Sequence, residues 1–188
     1  MIYYIIDVRY PGRYKMINQL PGTDGKDHLY HFVYETESIK GVVESTKQYI
    51  TKAKLGHGSI DMIRLCGHGN TAYVQIGQGL VESNAGEFST LAGFLKAEAG
   101  ADGIQIHGCG VGSDTNILAP GSTITNPVCK PGTSSGGKGY KLLAKLANAT
   151  KKNVTAGLNC QYVDSAWQWE GPTITVCPGG SYGITTVT

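Results

Sequence analysis

The chain is punctuated by short apolar runs that stop at glycine and alternate with amphipathic stretches, and this pattern most limits what it can fold into. Two of the runs read DMIRLCGHG at 61–69 and DGIQIHGCG at 102–110. An apolar run of this length bounded by glycine fits a strand buried on both faces. A helical pattern between such runs is what a parallel crossover connection requires.

The rest of the chain continues the alternation. Ile2 to Val8 predicts a first strand, and Asp7 and Arg9 end it too early for a signal segment or a membrane span. The stretch from there to Asp27 carries Pro-Gly pairs at 11–12 and 21–22 and is expected to be irregular. Leu29 to Tyr34 predicts a second strand. After Ser38, residues Ile39, Val42, Val43, Thr46, Ile50 and Ala53 fall on one helical face.

Ile60 to Cys66 follows as a strand, and Ala72 to Ile76 predicts a small exposed hairpin with the segment near Leu80. Phe88, Leu91, Ala92, Leu95 and Ala99 mark a second helix, and Ile104 to His107 another strand. Tyr140, Leu143, Leu146 and Ala147 mark a third helix, followed by strands at Val154 to Ala156 and Thr173 to Cys177. This order predicts an α/β chain, a three-layer α/β/α sandwich with helices covering a mostly parallel sheet, as one domain over 1–188.

Composition narrows the function. Sixteen Lys and Arg against 14 Asp and Glu leave a net charge of +2, without the basic stripe of a nucleic-acid surface. Five cysteines, at 66, 109, 129, 160 and 177, are too sparse to require a disulfide framework. No cofactor is implied, no membrane partner is expected, and both a cytoplasmic and an exported, trimmed protein fit the chain.

Ligands of a parallel sheet collect beyond the carboxyl ends of its strands. His68 and Cys109 sit just past two such ends. A thiolate attacks a carbonyl, an imidazolium beside it favours that ionised state, and the imidazole then protonates the leaving amine. Gly69, Gly108 and Gly110 keep the backbone uncrowded, and the amides of Gly69 and Cys109 are candidate oxyanion donors.

Other readings compete for the same residues. Cys109 as a buried thiol beside a loop histidine is the plain one. Cys66 and His68 mirror His107 and Cys109, so these four form a candidate zinc set if their strands are neighbours. The run Gly132 to Gly139 approaches a phosphate-binding loop, but Gly139 stands where a magnesium-contacting Ser or Thr belongs. Trp167 and Trp169 alternate, which suits an apolar wall for a substrate side chain or packing across the sheet. Arg64, Arg9 and Arg13 are the candidate cations near the site, and the long stretch 110–137 suits a site-forming or processed loop.

The segments MIRLCGHG at 62–69 and GIQIHGCG at 103–110, with a helix between them, resemble the caspase-like cysteine peptidase superfamily of clan CD, which includes caspases, gingipains, clostripain-like enzymes and separases. The resemblance covers about residues 38–157 and is closest to uncharacterised bacterial caspase-like domains, some with a Trp-x-x-Glu segment like Trp167 to Glu170 here. It implies a caspase-like sheet and a cysteine endopeptidase acting on a protein or peptide, with His68 and Cys109 as its dyad. Arg64, His107, Trp167 and Trp169 are the residues expected to meet substrate. Caspases carry Gln-Ala-Cys-x-Gly, whereas this chain has His107-Gly108-Cys109-Gly110, so the preferred residue before the cleaved bond is not implied. A zinc-binding or catalytically inactive interaction module on the same fold is the alternative.

Overall fold

The computed structural model describes residues 1–10, 13–18, 28–96, 102–113, 138–159, 169 and 171–185. The strands in chain order are β1 (Ile2–Asp7), β2 (His28–Val33), β3 (Met62–Cys66), β4 (Gly69–Asn70), β5 (Tyr73–Val74), β6 (Asp102–His107), β7 (Asn153–Gly157), β8 (Thr173–Val176) and β9 (Tyr182–Thr185). Among the described residues, α1 (Arg13–Asn18), α2 (Ile39–Lys52) and α3 (Lys138–Thr150) are the α-helices, and Ala85–Phe94 is a 3₁₀ helix.

Seven strands form one sheet in the order β2-β1-β3-β6-β7-β8-β9, and β4 and β5 make a separate hairpin. The first five of the seven run parallel, β8 pairs antiparallel with β7, and β9 pairs antiparallel with β8. This is a mixed α/β architecture on a mostly parallel sheet.

Connection handedness explains where the helices lie. The step from β1 to β2 runs one way along the sheet, and every later crossover runs the other way. Right-handed connections therefore put α1 on one face and α2, the 3₁₀ helix and α3 on the opposite face. The large apolar core on that second side joins Tyr3, Ile5, Ile63, Leu65, Ile104 and Ile106 of the sheet to Val42, Phe88, Leu91 and Leu143 above it. On the α1 side, Ile17 packs on a smaller cluster of Tyr4, Ile6, Tyr10 and Cys66. Tyr3, Tyr4, Ile5 and Ile6 are all fully buried, as a central strand covered on both faces requires.

Helix α2 starts where its cap dictates: the Ser38 hydroxyl accepts the Gly41 N–H at 3.1 Å. Replacing Ser38 with Ala should cost about 1 kcal/mol of stability in urea unfolding. The buried positions of α2 are Ile39, Val42, Val43, Thr46 and Ile50, while Ala53 is its exposed C-cap.

The second helix differs from the α-helix that its apolar residues suggest. It is 3₁₀, stops at Phe94, and gives Leu95 to a bridge with Ile60. Its buried residues Ala85, Phe88 and Leu91 are three apart, the period of a 3₁₀ turn, and Gly86, Ser89, Thr90 and Gly93 disfavour an α-helix. Within the stretch expected to be irregular lies α1, and β9 extends the sheet by one strand more than the apolar runs indicate. Among the described residues no helix is long and apolar enough to cross a membrane.

Candidate active site at the carboxyl edge of the sheet

Strand order reverses between β1 and β3, and in an open parallel sheet such a point opens a crevice beyond the strand ends. His68 lies at that crevice. Pairing of β3 with β6 continues one residue past the strand, through the Gly67 N–H to the His107 carbonyl at 3.4 Å. The chain then turns at the exposed His68 into β4. The ring of Tyr10, which follows β1 and is buried, meets the His68 ring edge-on with centroids 6.1 Å apart.

The hairpin sets the direction of the next amide. The His68 carbonyl accepts the Gln75 N–H at 2.7 Å, so residues 68 and 75 form a hydrogen-bonded pair. Antiparallel pairs alternate, so Gly69 opposite Val74 is a non-hydrogen-bonded pair whose amide N–H points out of the ladder.

Cys109 is half-buried one residue beyond Gly108, at the end of β6. The turn after it is tight: Gly110 has φ +53°, its N–H donates to the Asn159 carbonyl at 2.7 Å, and its carbonyl accepts the Ser113 N–H at 3.0 Å. The Gly112 N–H donates to the Gly157 carbonyl at 3.1 Å, which ties the cysteine loop to the end of β7.

Histidine hairpin and cysteine loop are in direct backbone contact. A Cβ at position 69 would lie 2.8 Å from the Cys109 amide nitrogen and 2.8 Å from the Gly108 carbonyl carbon. A Cβ at 108 would lie 3.0 Å from the Gly67 carbonyl oxygen and 3.3 Å from the Gly69 Cα. The Ala72 N–H donates to the Val111 carbonyl at 3.1 Å, and the buried hydroxyls of Thr71 and Ser113 meet at 2.8 Å. Gly69→Ala should therefore force the two loops apart, costing about 1–3 kcal/mol of stability. It should also slow modification of Cys109 by a peptide probe at least about tenfold, since misplacement of roughly 1 Å costs reacting groups about a hundredfold.

The remaining predicted residues separate into a second group. Arg64 and His107 face the α1 side of the sheet, where Arg64 Nε donates to Gln105 Oε1 at 3.0 Å and His107 Nε2 lies 3.3 Å from the same oxygen. Trp169 stacks on His107 with ring centroids 4.6 Å apart and planes 8° from parallel. His107 is buried beneath that indole, so Trp169 presents its ring outward instead. Burial first, and the Arg64 charge second, push His107 down to about 3, which keeps it neutral. Trp167, the segment 114–137, most of the run 132–139, and Cys129 and Cys160 lie outside the described residues.

Neither arginine of the first loop stands alone near the site. Arg9 forms a two-pronged ion pair with the buried carboxylate of Asp7. Arg13 donates to the Tyr10 carbonyl at 3.3 Å and lies 4.6 Å from the centre of the Tyr14 ring. Asp7 and Tyr10 are the residues of this region that pattern reading passes over. Their only sequence signal is their place just at and after the end of the first strand.

The zinc arrangement is not assembled. Cys66 is cross-strand from His107 but sits in the apolar cluster with Tyr4, Ile6 and Tyr10, while His68 turns outward to solvent. Burial pushes the Cys66 thiol up, with Arg64 opposing, which disfavours the thiolate a metal would need. Among the described residues no three His, Cys, Asp or Glu side chains converge as a metal set. Compared with protein-family models, curated proteins and solved structures, the chain finds no match.

Proposed function

We propose that the protein is a cysteine endopeptidase of caspase-like three-layer fold, in which His68 and Cys109 form the dyad. The observation that carries this reading is the backbone contact of Gly69 with Gly108 and Cys109, which sets the histidine and cysteine strand ends side by side at the crevice of the sheet. The Cys109 thiolate adds to the peptide carbonyl while the Gly69 and Cys109 N–H groups face the developing oxyanion. The tetrahedral species then expels the amine, which takes a proton from the His68 imidazolium and leaves a thioester on Cys109. Water, deprotonated by the neutral imidazole, hydrolyses that thioester, releasing the carboxylic acid and restoring the thiol.

Substrate contacts on this reading come from the outward face of Trp169, with Arg64 and His107 supporting it from beneath through the Gln105 network. A panel of thiol-directed peptide probes varied at the residue before the reactive group tests the assignment. Labelling confined to Cys109, blocked by prior iodoacetamide and weakened in H68A, is expected. No labelling across the panel would favour the non-catalytic interaction module.

A further inference from the structure

Asp7 closes β1 with a carboxylate that is wholly buried. It accepts four hydrogen bonds: from the Arg9 backbone N–H at 2.9 Å, Arg9 Nε at 2.8 Å, Arg9 Nη2 at 2.8 Å and the Gly77 N–H at 3.0 Å. Arg9 Nη2 also donates to the Gly77 carbonyl at 2.6 Å. Acid and guanidinium together thus grip both backbone groups of one residue, in the turn that follows the histidine hairpin.

That turn accepts only glycine. Gly77 has φ +56°, and a side chain there would run into the Glu37 carbonyl. Two residues earlier, Gln75 donates its N–H to the His68 carbonyl at 2.7 Å. A second route runs through β1 itself: the Asp7 carbonyl accepts the Tyr10 N–H at 3.0 Å, and the Tyr10 ring packs edge-on against the His68 ring. Both connections from Asp7 end on His68.

A buried ion pair adds little net stability, and well-packed apolar groups often replace one without loss. What an apolar side chain cannot do is hold donors from two distant segments in fixed directions. We propose that Asp7, working with Arg9, is a positioning residue that fixes the His68 imidazole beside the Cys109 strand end. The proposal rests on the reading of His68 and Cys109 as the reacting pair. The Asp7 carboxylate acts only through the Gly77 turn, the link to Tyr10 being made by the backbone carbonyl of residue 7.

The pH profile of Cys109 alkylation by iodoacetamide, followed by peptide mass mapping on the full chain, tests it. The titratable groups around these strand ends are Asp7 closing β1 with Arg9 and Tyr10 after it, Glu35 beyond β2 at 3.9 Å from Arg9, Cys66 closing β3, Tyr73 of the hairpin, and His107 closing β6 with Cys109 after it. Wild type should alkylate rapidly down to about pH 6, as an imidazole-paired thiolate does. H68A should follow an ordinary thiol curve with a midpoint near about 8.5. D7N should move toward the H68A curve, with at least a tenfold slower rate at pH 6.5 and a retained cooperative urea transition. Arg9→Lys keeps the cation but loses the fork that grips the Asp7 carboxylate and the Gly77 carbonyl together, and should slow alkylation at pH 6.5 at least threefold.

A folded D7N protein with the wild-type curve would overturn the proposal, as would a wild-type curve in R9K if D7N does not fold. A wild-type protein that itself follows the ordinary thiol curve, unchanged by H68A, would overturn the dyad and the positioning role together. A dyad profile lost in H68A but kept in D7N would overturn the positioning role alone.

Discussion

Cys109→Ala should abolish peptide hydrolysis, with kcat/KM falling on the order of 10⁴–10⁶-fold, the loss seen when a nucleophile is removed from a catalytic unit. The protein should stay folded. Cys109 is half-buried in a turn held by backbone hydrogen bonds of Gly110 to Asn159 and Gly112 to Gly157, none of which needs the sulfur. Its melting temperature should stay within about 3 °C of wild type, which corresponds to roughly 1 kcal/mol for a chain of this size. H68A should lose nearly as much activity, because the thiol then lacks both its base and the acid for the leaving amine. The double variant should be no worse than the poorer single one, since the two groups act as a unit. Hydrolysis that persists in C109A at the wild-type rate would remove this residue as nucleophile.

Acid should unfold the protein well before its carboxylates are all neutralised. His31 is 3 % exposed, its Nδ1 lies 2.9 Å from the Tyr3 hydroxyl, and its Nε2 has no hydrogen-bond partner among the described residues. Burial pushes it down to about 4, and burial with the Arg64 charge pushes His107 down to about 3. An unfolded histidine titrates near about 6.5. Both groups therefore bind fewer protons folded than unfolded, so their contribution is complete above pH 6.5. It is lost as pH falls from there toward 4 for His31 and toward 3 for His107.

At pH 4 the loss is on the order of 3 kcal/mol for each group, and about 6 kcal/mol together is as large as the whole stability of many domains. Urea unfolding at pH 7.5, 6, 5 and 4 should show a steep fall in midpoint. His31→Phe should remove roughly half of that pH slope. A midpoint independent of pH between 7.5 and 4 would contradict the buried, neutral state of both rings.

The parallel strands were readable because burial on both faces leaves an apolar mark. β1 carries an uninterrupted apolar run up to Asp7, while β3 and β6 set apolar residues around Arg64 and Gln105 and stop at Gly67 and Gly108. The α2 face was readable for the same reason, through a 3.6-residue period and a serine cap. The second helix is legible as a helix, but its 3₁₀ form is not, because apolar residues three apart also satisfy half of an α-helical pattern; Ala99 lies outside the described residues. The six residues of α1 lie close behind a Pro-Gly pair, and β9 is exposed along its length, so neither carries a periodic apolar signal.

At the site, His68 and Cys109 are visible because each stands one glycine beyond a strand end. The backbone contact between their two loops is not visible there, since it depends on Gly69 and Gly108 lacking side chains at one point in space. Arg64 and His107 alternate with core residues in their strands, so their side chains turn to the α1 face, and pattern alone does not say which face the crevice uses. Asp7 was hidden for a different reason: its partner Gly77 is 70 positions away, and only the β1–β3 neighbour relation brings the hairpin turn to it.

Intact-mass spectrometry on wild type and H68A, quenched within seconds of mixing with a panel of peptide esters, is the most direct measurement of the pair. A dyad at these positions predicts a thioester of the acyl group on wild-type Cys109 that forms and decays, and that forms far more slowly in H68A. Hydrolysis of the esters with no adduct on Cys109, or an adduct whose formation is indifferent to H68A, would contradict it.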